Sequence, residues 1–324
     1  MKIDIFAHVL PEKFFDKLTK KIKIGVDLLE YTPWVINFPD MKKLDYRFNM
    51  MNRYPEVLQV ISLVLPPLEV VVSTKDSIEL AKAANEEMAE MVVKHPDRFA
   101  AGVAAVPLND VDAAIKETDR AINDLGFKGI QMFSNIDGQP IDSPQYRPLF
   151  ERMAHHNLPI WIHPWNLPVT GPSSKYLPDS IKEYFRNDIV EPMNWPFETT
   201  LAMLRIGQST IFADYPDLKI ITHHCGGMIP FFATRIKNPK NIEKLHKFYA
   251  DTAIYGNTGA LMCGYDFWSP DRMLFGTDMM GTAAHFDRTL DTIDSIEKMG
   301  IPQQDKDKIY FGNAQRLLKL PSNT

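Results

Sequence analysis

Leu218-Lys-Ile-Ile-Thr-His-His224 sets the reading of the whole chain. A short β-branched run stops abruptly on imidazoles. The run is apolar nearly throughout, as a strand covered on both faces must be. Leu158-Pro-Ile-Trp-Ile-His163 repeats the pattern, and so do Lys2-Ile-Asp-Ile-Phe-Ala-His8 and Met273-Leu-Phe-Gly-Thr-Asp278. Working outward, runs of this kind predict strands at Lys2–His8, Val57–Leu63, Ala100–Val106, Lys128–Met132, Pro159–His163, Leu218–His223, Lys247–Asp251 and Met273–Thr277. Amphipathic stretches separate them. In Ser73–Lys94, the residues Ile78, Ala81, Ala84, Met88 and Met91 recur at helical spacing. Val111–Asp124, Phe150–His156 and Thr199–Phe212 read the same way, and Gly126 and Gly300 sit where helices end.

Eight β/α repeats within 324 residues predict an α/β fold, a (β/α)8 TIM barrel formed by one domain over residues 1–324. A doubly wound sheet would be long for this count, and no G-x-G-x-x-G is present. Two segments exceed a minimal barrel, at about 25–55 after strand one and 164–196 after strand five. Insertions after strands fall on the face where barrel active sites form, so both are expected to cover the site.

Composition narrows the function classes. A net charge of −5 argues against a nucleic-acid partner. Two cysteines, Cys225 and Cys263, are too few for a disulfide scaffold or a cysteine-rich zinc site. No apolar run reaches the roughly 18 residues that span a bilayer, and the N-terminus is charged too early for a secretory signal. A cytoplasmic enzyme is the expectation.

Nine histidines remain to be sorted. His8, His163, His223 and His224 end predicted strands one, five and six, and Asp278 ends strand eight. Side chains that end barrel strands converge on one face. Imidazoles and a carboxylate gathered there suit one divalent metal, zinc first and manganese second, with open positions for water or substrate. Nothing at Gln131-Met-Phe133 offers a bridging lysine or glutamate, which argues against a second metal. His95, His155, His156, His246 and His285 match no strand end and read as structural.

The order of these motifs resembles the amidohydrolase superfamily, and within it the branch of aminocarboxymuconate-semialdehyde and γ-resorcylate decarboxylases. The stretches that carry the resemblance are Ile3-Asp-Ile-Phe-Ala-His-Val-Leu-Pro11, Pro96-Asp-Arg-Phe99, Leu125-Gly-Phe-Lys-Gly-Ile-Gln131, Leu158-Pro-Ile-Trp-Ile-His-Pro164, Phe197-Glu-Thr-Thr-Leu201, Tyr215 to Gly227, Leu274-Phe-Gly-Thr-Asp278 and Gly312-Asn-Ala-Gln-Arg-Leu317. The resemblance implies that His8, His163 and Asp278 are metal ligands. It implies that His224 is the acid/base or substrate contact beside the metal, with Asp278 sharing the catalytic work. His223 is its neighbour; if the strand ran through both, only one would face the metal.

One departure stands out. The family has His-x-His or Glu-x-His at the end of strand one, and this chain has Phe6-Ala-His8. Three readings follow. The metal is held by His8, His163, Asp278 and solvent; Asp4 or the second strand-six histidine substitutes; or the metal is lost.

Candidate substrate contacts are Arg47, which would grip a carboxylate bidentately, Trp165 and Phe6, which would present aromatic surface, and His223. The expected activity is non-oxidative decarboxylation of a small aromatic or unsaturated carboxylic acid. The alternatives are a metal-dependent hydrolase of an amide or lactone, and a metal-free ligand-binding homologue. The resemblance also implies a homodimer or homotetramer.

Overall fold

A computed structural model describes residues 1–24, 26, 28, 39–63, 66–165, 180, 187–279 and 287–321. Its centre is a barrel of eight parallel strands: β1 (Lys2–Val9), β2 (Val57–Leu63), β3 (Phe99–Val103), β4 (Ile130–Phe133), β5 (Ile160–His163), β6 (Ile220–Thr222), β7 (Tyr249–Asp251) and β8 (Met273–Leu274). The ladder runs β1-β2-β3 and β4-β5-β6-β7-β8. Parallel bridges at Ala104–Ile130 and Ala7–Met279 join the two arcs and close the ring. The protein is thus the expected TIM barrel.

Every predicted strand is present, and several are shorter than their apolar runs. The reason is visible at β8. Beyond Leu274 the ladder with β7 stops: Phe275 N–H donates to the Ile309 carbonyl, Gly276 N–H to Thr252 Oγ1 and Thr277 N–H to Asp4 Oδ1. The chain stays buried there; side chains pair two of its N–H groups, while the Phe275 and Met279 carbonyls still accept from the Ile5 and His8 N–H groups of β1. An additional two-residue hairpin, Asn135–Ile136 with Gln139–Pro140, follows β4. Asp137-Gly138 turns it with both residues at positive φ, as a two-residue hairpin requires.

Two apolar layers result. Outside the strands, Leu80, Ala81, Ala84 and Met88 of the helix Thr74–Lys94 face the barrel. That helix starts where Ser73 Oγ accepts from Asp76 N–H. Inside lie Ile3, Ile5, Phe6, Val60, Val103, Trp161, Ile221 and Leu274, joined by Ala314, Leu317 and Leu318 of the C-terminal helix Asn313–Leu318. Trp161 is fully buried, and its indole N–H donates to the Ile5 carbonyl at 3.0 Å.

β1 is not regular. Its register with β2 shifts between Asp4 and Ala7. Ile3, Ile5 and Phe6 all belong to the inner cluster, so the shift turns two consecutive residues inward. His8 follows Phe6 on the inner face, and Asp4 leaves it.

The segment expected at about 25–55 is described only in part. It carries two short helices, Pro39–Lys42 and Leu44–Met51. Most of 164–196 lies outside the described residues, as does His285. Among the described residues, no helix is long and apolar enough to cross a membrane.

Candidate metal centre and active site

His8 on β1, His163 on β5, His223 after β6 and Asp278 after β8 meet at the carboxyl ends of the strands. The ligand atoms of His8, His163 and His223 lie within 4.8 Å of one another, and so do those of His223, His224 and Asp278. His8 Nε2 stands 3.3 Å and His223 Nε2 3.5 Å from Asp278 Oδ1. All three atoms are buried and have no hydrogen-bond partner among the described residues. An orphaned buried carboxylate oxygen or imidazole nitrogen is costly. A cation bound about 2.0–2.2 Å from each donor removes that cost, and donors around a tetrahedral ion stand about 3.3–3.5 Å apart. These residues therefore fit a divalent metal.

Each imidazole is oriented through its other nitrogen. His163 Nδ1 donates to the Pro164 carbonyl at 2.7 Å. His8 Nδ1 lies 3.0 Å from Ser62 Oγ. His223 Nδ1 donates to Asp251 Oδ2. Such partners fix the tautomer that leaves Nε2 for a metal. Burial holds His8 and His163 below the usual imidazole range. Burial would do the same to His223, but Asp251 and Asp278 reverse it and push this imidazole up to about 9 without a metal.

The strand-six histidines do not obey the alternation of a strand, because the strand ends at Thr222. His223 is still extended, and the next residues turn left-handed: His224 at φ 53°, Cys225 at 55° and Gly226 at 81°. The two imidazoles consequently stack, 3.9 Å between centroids and 25° apart. Gly226 and Gly227 permit this turn. A Cβ at Gly226 would meet the Trp268 ring at 2.5 Å, and one at Gly227 the Pro196 carbonyl at 2.3 Å. His224 is half-buried, and burial and the neighbouring His223 charge keep it well below the ordinary imidazole range.

Asp278 also sits at positive φ, 51°. Tyr255 donates its hydroxyl proton to Asp278 Oδ2, and Arg288 donates to the same oxygen at 3.1 Å and to the Asp278 carbonyl at 2.6 Å. Burial opposes the charge on Asp278. Arg288 and the His223 and His8 imidazoles outweigh burial and hold the carboxyl well below its usual range.

Phe6 is fully buried and lies flat against His223, 3.9 Å between centroids and 11° apart. It forms the floor beneath the histidines. Trp165 is buried beside Phe133, one ring removed from His163. Trp195, half-buried, is the indole that approaches His163 edge-on at 6.3 Å. Asp4 does not reach the cluster. Its carboxylate accepts from Thr277 Oγ1, Thr277 N–H and Phe6 N–H, because the register shift turns it outward.

Arg47 is placed differently from an arginine that greets substrate. It is 1% exposed, and its Nε donates to Gln59 Oε1 at 2.8 Å and its Nη1 to the His8 carbonyl at 2.7 Å. It braces the backbone that carries His8. Arg47→Ala leaves both acceptors buried without their donor, and about 2–4 kcal/mol of stability is expected to be lost. Urea unfolding checks this. A variant of native stability whose only defect is a raised KM would instead place Arg47 on the substrate.

Four residues escaped the sequence reading. Asp251 ends the predicted seventh strand, so the strand-end rule that found Asp278 applies to it equally. Ser62 sits one residue before the end of β2. Tyr255 follows β7 in a loop, Arg288 opens the helix Arg288–Glu297 after β8, and neither carries a motif of its own.

Comparison with known proteins agrees with this geometry. A family profile described as amidohydrolase matches residues 3–320. The γ-resorcylate decarboxylase of Rhizobium sp. strain MTP-10005 is 32% identical over 85% of this chain and 87% of its own. The 2-amino-3-carboxymuconate-6-semialdehyde decarboxylase of Dictyostelium discoideum is 27% identical over 100% of this chain and 93% of its own. Among solved structures, the dihydroxybenzoic acid decarboxylase of Polaromonas sp. JS666, with bound manganese and the inhibitor 2-nitroresorcinol, superposes with a TM-score of 0.77. It is 27% identical, over 98% of this chain and 96% of that one. A profile match over nearly the whole length, on a closed barrel whose strand ends gather histidines and an aspartate, has one meaning: the chain belongs to the amidohydrolase family.

Proposed function

We propose that this chain is a metal-dependent non-oxidative decarboxylase of a small aromatic or unsaturated carboxylic acid. The observation that carries the reading is the set of buried, partnerless donor atoms facing one another at the strand ends. The relatives' activities supply the reaction class. His8, His163 and Asp278 would hold the metal. A bound divalent ion would polarise the substrate's oxygens and offset negative charge as the carboxyl group leaves. The manganese in the dihydroxybenzoic acid decarboxylase favours manganese, with zinc as the second choice.

The protein's own residues do the rest. In the reaction the bond to the carboxyl carbon breaks, its electron pair stays with the substrate carbon, and a proton takes the vacated position. His224 would deliver that proton. Its imidazolium is destabilised by burial, which makes it a strong acid once formed. Tyr255 and Arg288 keep Asp278 ionised and aimed inward. Phe133 and Trp195 set aromatic edges beside His163, a surface suited to a flat ring.

The test is carbon dioxide release from a panel of hydroxybenzoates and unsaturated diacids with manganese-loaded protein. Release from at least one acid is expected. His224→Gln should lower kcat by about 10²–10³ while metal content stays native. Opening of lactones or amides with no carbon dioxide from any acid would make the protein a hydrolase instead.

A further inference from the structure

We propose that His223 is the metal ligand that strand one lacks: the donor has moved from β1 to β6. The inference rests on reading the cluster as a metal centre, and not on which acid is decarboxylated. Three features of the structure support it.

First, His223 has the form of a ligand. Its Nε2 is buried, has no hydrogen-bond partner among the described residues and points at Asp278 Oδ1. Its Nδ1 is held by a carboxylate that is itself fixed: Asp251 Oδ1 accepts from the N–H groups of Cys225 and Ala253 at 2.9 and 3.0 Å, and Oδ2 from that of His224. A carboxylate behind an imidazole orients the ring and makes its far nitrogen a better donor.

Second, Phe6 and His223 form one unit. A histidine at position 6 would project from the inner face of β1, two residues before His8. The benzyl ring that stands there lies parallel on His223 and holds its plane. Strand one contributes a wall in place of a donor, and the wall orients the donor that replaces it.

Third, the other candidates fit less well: Asp4 is engaged elsewhere, and His224, although near Asp278, lies on the outer side of His223. Asp4 is bound by Thr277 and the Phe6 amide. His224 stacks one ring further from Phe6 and is half-buried, with Thr199 Oγ1 3.5 Å from its Nδ1. The two adjacent histidines divide the work: His223 binds the ion, and His224 faces the substrate.

The test is metal affinity of the full chain, measured with Mn²⁺ and with Zn²⁺ by chelator competition and elemental analysis. His223→Ala should weaken binding about 100-fold or more, since even partners one shell out are worth 10–100-fold. Phe6→His alone should leave affinity within about threefold, because the position it would fill is already served. Phe6→His combined with His223→Ala should regain most of the loss, returning the donor to strand one. Native affinity in His223→Ala overturns the proposal, and so does tenfold or greater tightening in Phe6→His alone. A wild-type chain that takes up neither ion overturns it together with the decarboxylase reading. Loss of metal in His223→Ala from a chain that decarboxylates no acid leaves the ligand assignment standing and removes only the activity.

Discussion

Asp278→Ala is expected to abolish turnover, with a loss of about 10⁴-fold or more, and to leave purified protein with substoichiometric metal. The effect is large because one carboxylate serves two sets of partners. Oδ1 faces His8 and His223, while Oδ2 holds the Tyr255 hydroxyl and Arg288. Truncation removes the one anion among the converging donors. It leaves the imidazoles facing each other with no negative charge to share an ion. Turnover under saturating manganese and elemental analysis of the same preparation check the two halves together. Activity within tenfold of wild type, with metal retained, would mean that the reaction centre lies elsewhere.

Trp161→Ala should cost about 3–5 kcal/mol of stability, the range for deleting a large buried aromatic side chain. Trp161 lies wholly inside the barrel, among residues from six of its strands. It also donates to the Ile5 carbonyl, one residue before Phe6 in the irregular stretch of β1. Trp161→Phe keeps most of the ring and loses the hydrogen bond, so about 1–2 kcal/mol is expected there. Denaturant midpoints of the metal-free proteins measure both. A loss below about 1 kcal/mol in the alanine variant would show that the inner layer tolerates the cavity.

Strand positions were legible because a parallel barrel strand is buried on both faces and its apolar run carries that fact. Strand lengths were less so. Whether Gly276 and Thr277 pair with a neighbouring strand or with Thr252 and Asp4 depends on residues far away in sequence. Three of the converging ligands followed from where strands end. Residue alternation failed at His223 and His224, since it presumes a strand that continues, and the chain here turns left-handed after His223. The same rule placed Phe6 beside His8 correctly and could not foresee the register shift that turns Asp4 away. Arg47 was found by its motif, but a motif carries no burial. Only the packed helix Leu44–Met51 shows the guanidinium bracing His8 from behind. Tyr255 belongs to a loop and Arg288 to the first turn of a helix, where no periodicity marks a residue that contacts a distant carboxylate.

The inner layer has a consequence for how the polypeptide is made. Ile3, Ile5 and Phe6 share one cluster with Leu274, Ala314, Leu317 and Leu318. The first strand needs neighbours on both sides, and one of them, around Phe275 and Met279, lies about 270 residues further along the chain. Synthesis at about 5–20 residues per second keeps that side of β1 open for tens of seconds. The ring cannot close until Met279 has been made, so β1 must stay out of wrong partnerships over that interval. The nascent chain is therefore most exposed to aggregation at the apolar strand that carries His8.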